Sequence, residues 1–194
     1  MSTIYEVVNI TFCTCGYLGQ EWKLFETKES DVQFCVSFDK LNREYYGVEY
    51  IEMPFDAHHI SRMGHDIMVA DKTWTYARIL GLQEKKNRDR FLCQLFYTHA
   101  VQHHIIYLHS SLISYQNHGL MFLGPSGIGK TTQAELWNKY RNALIINGDV
   151  VFVQETEDVF LGWGTPWHGS SPYCENTSVP VSALIVLKQA EKNS

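Results

Sequence analysis

The stretch GPSGIGKTT, residues 124–132, constrains the fold of this chain more than any other part of the sequence. It matches the phosphate-binding pattern G-x-x-x-x-G-K-[ST], with Gly124, Gly129, Lys130 and Thr131 at the fixed positions. A short apolar run precedes the stretch, and the residues after it have helical spacing. A strand, a glycine-rich turn and a helix start in this order place backbone N–H groups around a phosphate, so the sequence predicts this arrangement here.

The residue types in the stretch account for its predicted chemistry. Small residues let the backbone curl until successive N–H groups point at phosphate oxygens. The side chain of Lys130 is expected to reach the β and γ phosphates, and the hydroxyl of Thr131 to bind Mg2+. The alternative is a glycine-rich turn that carries an exposed lysine. The predicted nucleotide-binding residues are Gly124, Pro125, Ser126, Gly127, Ile128, Gly129, Lys130, Thr131 and Thr132.

Asp149 is the carboxylate predicted to complete the phosphate site. It follows the apolar residues 143–146 and the pair Asn147-Gly148, which places it just past the end of a buried strand. Side chains at the carboxyl ends of such strands meet in the ligand crevice, so Asp149 and Lys130 are expected to lie close together. There the carboxylate would hold the metal or accept a proton. The alternative is an aspartate in an ordinary turn after a strand.

Composition and charge argue against several classes of partner. The chain has 194 residues and a formal net charge of -5, without a basic stripe, so we expect no binding to nucleic acid or to an anionic membrane. No apolar run approaches the roughly 20 residues of a membrane span, and residues 1–6 show no secretory signal. We therefore predict a cytoplasmic protein. A guanine-specificity motif and a transporter ATPase signature are also missing, which disfavours those two classes of nucleotide-binding protein.

Cysteine and histidine patterns give no metal site. The five cysteines are scattered, and without a secretory signal they are predicted to be reduced thiols. Cys13 and Cys15 lack the partner pair that a zinc site needs, so we interpret them as two residues on one face of a strand. His99 and His103 have the i, i+4 spacing of metal ligands on a predicted helix, but no third ligand is identifiable nearby, which favours a structural role.

The hydrophobic pattern divides the chain into a β-rich N-terminal region, residues 1–88, and an α/β core with the phosphate site, residues 89–194. A mixed sheet with at least one covering helix is expected in the core, because its strands are apolar on both faces. Strands are predicted over residues 4–13, 32–38, 66–71, 73–80, 105–108, 112–115, 119–123, 144–146, 150–153, 159–161 and 181–187, and helices from residue 90 and over 131–140.

Three motifs occur in an order that is typical of a known superfamily: Leu108-His109-Ser110, the phosphate-binding stretch, and Asn147-Gly148-Asp149. The chain resembles HPr kinase/phosphorylase and ATP-dependent PEP carboxykinase, above all the HPr-kinase-like members, over about residues 90–190. Residues 162–169 also look like these homologues. The resemblance implies a mixed β-sheet P-loop core of the HPr kinase / PEP carboxykinase type, with ATP and Mg2+ as cofactors.

The resemblance also implies the reaction and the roles of individual residues. Asp149 would activate an attacking hydroxyl, His109 would orient or tune that carboxylate, and Lys130 would stabilise the transferred charge. The expected function is an ATP-dependent phosphotransferase that phosphorylates a hydroxyl of a protein serine or a small metabolite. His168 and Trp167 are candidates to line the acceptor pocket, although aromatic residues in turns often only pack.

Two departures from the superfamily pattern favour a different function. Val150 stands where many HPr kinases have a second acidic residue, and the sequence ends at Ser194 where relatives continue with helices and basic residues. The alternative is therefore a nucleotide-binding module without turnover, acting as a partner or regulatory subunit. An exposed sheet edge in such a short chain would also favour self-association. A carboxykinase-like lyase is not favoured, because no second metal site of His, Lys and Asp can be traced.

Overall fold

The computed structural model describes residues 2–16, 18–40, 52–81 and 84–190. The chain divides into two compact units, Met1–Ala100 and Val101–Ser194. The boundary between them lies later than residue 88, where the hydrophobic pattern predicted it. The reason is a helix whose apolar side chains are buried together with the first sheet, so that the whole helix belongs to the first unit.

The first unit is a six-stranded mixed sheet with an α-helix and a 3-10 helix. In the sheet the strands have the order β1-β2-β3-β6-β5-β4, and the pairs β2–β3 and β3–β6 are parallel. The elements are β1 (Ser2–Val7), β2 (Ile10–Cys15), the 3-10 helix Gln20–Phe25, β3 (Phe34–Lys40), β4 (His59–Met63), β5 (Asp66–Ala70), β6 (Tyr76–Gly81) and α1 (Lys85–Ala100).

One predicted strand of the first unit, residues 4–13, is in fact a hairpin. β1 and β2 pair antiparallel around Val8 and Asn9, whose φ angles are 50° and 61°. A type I′ hairpin turn requires positive φ at both central positions, and a β-branched valine is strongly disfavoured there. The sequence therefore carries only half of the usual turn signal.

Strand β4 was also missed, because this edge strand has an exposed Ile60 and no continuous apolar face.

The prediction that all cysteines are reduced was wrong for one pair. Cys13 and Cys35 form a disulfide between the parallel strands β2 and β3, where they are register partners with Cα atoms 4.6 Å apart. Their pairing depends on a strand register that the sequence does not reveal. Cys15, Cys93 and Cys174 do not take part in a disulfide.

The second unit begins with a short 3-10 turn, Val101–His103, and carries the phosphate-binding stretch. Its first strand, β7, is continuous over 11 residues, where two separate strands were predicted, because the polar residues at its centre do not interrupt the pairing. The elements are β7 (Ile105–Tyr115), β8 (His118–Leu123), α2 (Lys130–Arg141), β9 (Leu144–Asn147), β10 (Val150–Glu155), β11 (Phe160–Trp163) and β12 (Ser178–Val186).

The strands of this second sheet close on themselves. Their order is β10-β11-β12-β8-β7-β9, and β10 also pairs with β7, so that five strands form a ring. Strands β9 and β10 follow one another along the same edge of β7, with Asn147 opposite Leu112 and Val150 opposite His109. On the other edge of β7, Leu123 at the end of β8 lies opposite Ser110. This register brings the β9–β10 connection and the end of β8 to the same level of the sheet.

Two apolar clusters cover the two faces of strands β7 and β8. One is formed by Leu112, Met121, Ile146, Val151, Val153 and Val179, all on the closed strands except Ile146, which lies on β9. The other lies under α2 and contains Ile113, Phe122, Ala134, Ala143 and Ile145. Successive residues of β7 therefore point into different clusters, as the alternation of side chains along a strand requires.

Within the described residues, neither α-helix has the length and apolar character that a bilayer span needs.

Replacing Leu112 by alanine tests the first of these clusters. Leu112 is 0% exposed, and we expect the variant Leu112→Ala to lower the free energy of unfolding by about 2–5 kcal/mol through lost burial and a residual cavity. Leu184→Ala on β12 is the matched control, because Leu184 is 60% exposed and its loss should cost less than about 1 kcal/mol. Urea unfolding followed by circular dichroism measures both values. Equal losses in the two variants would contradict the assignment of Leu112 to the core.

Candidate functional site

The connection between β8 and α2 has a backbone that only glycine adopts easily. Gly124, Gly127 and Gly129 have φ angles of 144°, 78° and 106°. An alanine Cβ at Gly127 or Gly129 would meet no atom within 4 Å, so the backbone conformation, and not lack of space, favours glycine at these two positions. The glycine spacing of the motif therefore corresponds to the shape of this loop.

The start of α2 offers backbone donors to a ligand. Gly129 is the N-cap residue and has no side chain with which to cap this end of the helix. Gln133 donates its N–H to the carbonyl of Gly129 at 2.9 Å, which is the bond of the first helical turn. The N–H groups of Lys130, Thr131 and Thr132 have no preceding turn to bond to. Together with the positive end of the helix dipole, they favour an anion at this position.

The ammonium group of Lys130 lies against the loop itself. Its Nζ donates to the carbonyl oxygens of Gly124 at 3.0 Å and Pro125 at 3.2 Å. Only 6% of the residue is exposed. The positive charge is therefore held at the loop, although its two carbonyl partners would have to be exchanged for phosphate oxygens if a nucleotide bound.

Thr131 connects the start of α2 to the β9–β10 connection. Its hydroxyl donates to the carbonyl oxygen of Gly148 at 3.2 Å. The buried hydroxyl of Ser111, on β7, donates to the same oxygen at 2.9 Å. The residue predicted to hold a metal thus contacts the residue immediately before Asp149.

Asp149 is held between a histidine and a glycine. Its Oδ1 lies 3.1 Å from Nδ1 of His109, and the two side chains are 31% and 41% exposed. On the other side of the carboxylate, a Cβ added to Gly169 would lie 2.7 Å from Oδ2. The main-chain carbonyl of Asp149 accepts the N–H of Ser110 at 3.2 Å. The structure thus brings His109 and Asp149 together and leaves both partly accessible to solvent.

Asn147 is a site residue that the sequence analysis did not single out. Its Oδ1 accepts the N–H groups of Asp149 at 2.8 Å and Val150 at 2.9 Å. Its Nδ2 donates to the carbonyl oxygens of Thr165 at 3.0 Å and Trp167 at 3.1 Å. The available signal was an asparagine two residues before an aspartate at a strand end, where its side chain can bond to the following backbone.

The segment after β11 passes beside Asp149, but its two candidate residues differ in their surroundings. Trp167 is buried, and its ring centroid lies 6.1 Å from that of Phe152, as the packing interpretation expects. The Nδ1 atom of His168 is buried and has no hydrogen-bond partner among the residues that the structure describes. Further along the segment, Tyr173 donates its hydroxyl to Glu135 of α2 at 3.3 Å. Loss of solvent and the Glu135 carboxylate raise the pKa of Tyr173.

His99, one of the two histidines with metal-ligand spacing, has packing and hydrogen-bond contacts of its own. His99 lies 2.9 Å through Nε2 from the carbonyl oxygen of Trp74, and its ring stacks on Phe34 with centroids 4.7 Å apart. These contacts support the structural role. Within residues 2–16, 18–40, 52–81 and 84–190, no cluster of three or more His, Cys, Asp or Glu side chains has the geometry of a metal site.

Comparison with known proteins gives a slight structural likeness and no match in sequence. No protein-family model matches the chain. No curated protein sequence matches it either. It is similar to the Hpr(Ser) kinase/phosphatase from Coxiella burnetii, with a TM-score of 0.37 and 15% identity over 46% of this chain and 69% of that chain. A likeness this slight carries no conclusion about the activity of the present chain.

The contact between Gly169 and Asp149 can be tested with an alanine. Because the added Cβ would overlap the carboxylate, we expect Gly169→Ala to shift the carboxyl 13C resonance of Asp149 and to lower the free energy of unfolding by about 1–3 kcal/mol. Gly127→Ala is the matched control: its Cβ enters open space, and only its positive φ should cost about 1–2 kcal/mol. An unchanged Asp149 resonance in Gly169→Ala would refute the contact.

Proposed function

We propose that the second unit is a P-loop core of the HPr kinase / PEP carboxykinase type and that the protein is an ATP-dependent phosphotransferase. It transfers the γ-phosphoryl group of ATP to a hydroxyl of a protein serine or a small metabolite. One observation carries the proposal: a continuous set of contacts joins the glycine loop to Asp149, from Lys130 through the start of α2 and the bond of Thr131 to the Gly148 carbonyl.

The loop and the start of α2 form the nucleotide side of the proposed site. The N–H groups of residues 130–132 are donors for phosphate oxygens, and Lys130 provides a positive charge next to them. Thr131 and Asp149 provide oxygen atoms of the kind that Mg2+ prefers, and Thr131 already contacts the residue before Asp149. Bound Mg2+ would neutralise charge on the transferred phosphoryl group.

Asp149 is the proposed proton acceptor. The acceptor oxygen attacks the γ-phosphorus, its proton passes to the Asp149 carboxylate, and ADP leaves with the electrons of the broken P–O bond. His109, 3.1 Å from Oδ1, holds the carboxylate in one orientation. Phosphoryl transfer depends mainly on positioning and charge neutralisation, so the reaction needs no type of group other than these. A single carboxylate then serves both the proton and the metal.

A nucleotide-binding module without turnover is the second candidate. The aliphatic side chain of Val150 favours it, because the residue after Asp149 provides no second carboxylate for a metal.

A cytoplasmic location is part of both proposals, since ATP is available there. The Cys13–Cys35 disulfide stands against that location, because reducing compartments disfavour such bonds.

Calorimetric titration with Mg-ATP tests the nucleotide site. We expect saturable binding that weakens at least about tenfold in Lys130→Ala, because a charge-assisted bond to phosphate is lost. Lys139→Ala is the matched control, since Lys139 lies exposed on the same helix and should bind Mg-ATP as the wild type does. A folded wild-type protein that fails to bind would exclude both candidate functions.

ADP formation separates the two candidates. With a serine-containing peptide or glycerol as the acceptor, we expect Asp149→Asn to bind Mg-ATP but to form ADP about 100- to 10,000-fold more slowly, because an amide cannot accept the proton. Asp158→Asn, in the exposed turn between β10 and β11, is the control and should keep the wild-type rate. Binding without ADP formation by the wild type would favour the module.

A further inference from the structure

We infer that Asn147 is a positioning residue that orients Asp149 and, with the same side chain, holds residues 165–171 as the acceptor side of the site. The inference deepens the proposed function and rests on it, because an acceptor side has meaning only if phosphoryl transfer takes place there. Asn147 would touch neither the nucleotide nor the acceptor. It acts through the backbone of the residues around it.

All hydrogen-bonding capacity of the Asn147 side chain is used in the interior of the protein. The residue is 0% exposed. Its oxygen faces two N–H groups, of Asp149 and Val150, and its nitrogen faces two carbonyl oxygens, of Thr165 and Trp167. The reversed amide would set nitrogen against N–H groups and oxygen against carbonyls, so these four neighbours determine its orientation.

One end of the carboxamide fixes the backbone of Asp149. Gly148 and Asp149 lie between two strands that both pair with β7, and ladder bonds are interrupted there. The Asn147 oxygen binds the N–H of Asp149, while the Asp149 carbonyl accepts the N–H of Ser110. With both main-chain groups held, the side chain leaves the backbone in one direction, toward His109.

The other end of the carboxamide fixes the neighbouring segment. The carbonyls of Thr165 and Trp167 are both bound by Nδ2, and the Thr165 hydroxyl donates to the Val150 carbonyl at 2.8 Å. Gly169 then lies against the Asp149 carboxylate, where an added Cβ would be 2.7 Å from Oδ2. Asn147 and the Thr165 hydroxyl therefore hold this segment beside the carboxylate together.

The same segment carries buried polar atoms that have no partner within the described residues. These are Nδ1 of His168 and Oγ of Ser171, on either side of Gly169 in the chain. Buried polar atoms are almost always hydrogen-bonded, so each one calls for a partner. Next to a carboxylate that accepts a proton, the fitting partner is the polar part of the acceptor. The acceptor predicted by this geometry is a hydroxyl compound with further hydrogen-bonding groups.

The substitution Asn147→Asp separates the two ends of the carboxamide. Its remaining oxygen still accepts the N–H groups of Asp149 and Val150, whereas its second oxygen faces the carbonyls of residues 165 and 167 without a proton to donate. We expect amide hydrogen exchange of residues 165–171 to accelerate at least about tenfold, while the 15N resonances of the His109 ring stay unchanged. In Asn147→Ala both the oxygen and the nitrogen of the carboxamide are lost, so the hydrogen exchange of residues 165–171 and the His109 ring resonances should both change.

Two controls keep the test independent of overall stability and of the proposed function. Asn138→Asp is matched, because Asn138 also donates its amide to a main-chain carbonyl, of Ala143 at 2.8 Å, but on α2; it should leave both signals unchanged. In the wild type, the side-chain amide protons of Asn147 should exchange with solvent at least about tenfold more slowly than those of the exposed Asn117.

Defined results would overturn the inference. The first is that residues 165–171 exchange at the wild-type rate, and the His109 ring keeps its wild-type resonances, in both folded variants, Asn147→Asp and Asn147→Ala. The second is that the side-chain amide protons of Asn147 exchange fast in the wild type. Failure of the proposed function would appear separately, as absent Mg-ATP binding or absent ADP formation with unchanged behaviour of these signals.

Discussion

The buried carboxamide of Asn147 connects the pieces of chain that build the candidate site. Strands β9 and β10 pass along β7 as one line that is interrupted at Gly148 and Asp149, and the segment after β11 crosses beside this interruption. Hydrogen bonds donated and accepted by this one fully buried side chain hold both in place. Because an unpaired buried polar group costs about 1–3 kcal/mol, removing this side chain affects the fold and the site together.

The carbonyl of Gly148 is a second point of connection, shared by two hydroxyl groups. Ser111 and Thr131 both donate to it, from β7 and from the start of α2. Under the proposed function, the Thr131 hydroxyl would leave the Gly148 carbonyl and bind Mg2+ when nucleotide binds. The Gly148 oxygen would keep its bond to Ser111, so the change would leave no buried acceptor unpaired. On this proposal one oxygen has a fixed partner, Ser111, and an exchangeable partner, Thr131.

Local features of the second unit were predictable because they depend on neighbours in sequence. The strand before the glycine loop, the loop and helix α2 were predicted within two residues of their observed bounds. Features that depend on long-range pairing were not: the Cys13–Cys35 disulfide follows from a register between strands far apart in sequence. The local turn at Val8 and Asn9 was missed for a different reason, because it lacks the usual residue pair. Asn147 was passed over because an asparagine at a strand end has many local explanations.

The sequence by itself determined the loop, since glycine at positive φ followed by a helix start is a property of residues 124–132 alone. It also indicated Asp149 as the carboxylate. Only the tertiary structure decided what surrounds that carboxylate: His109 reaches it through the β7–β10 register, and Gly169 lies against it because the Asn147 amide binds the backbone of the crossing segment. The physical reason is that these contacts join residues 18 or more positions apart, whose proximity is set by strand pairing and buried hydrogen bonds, not by any local pattern.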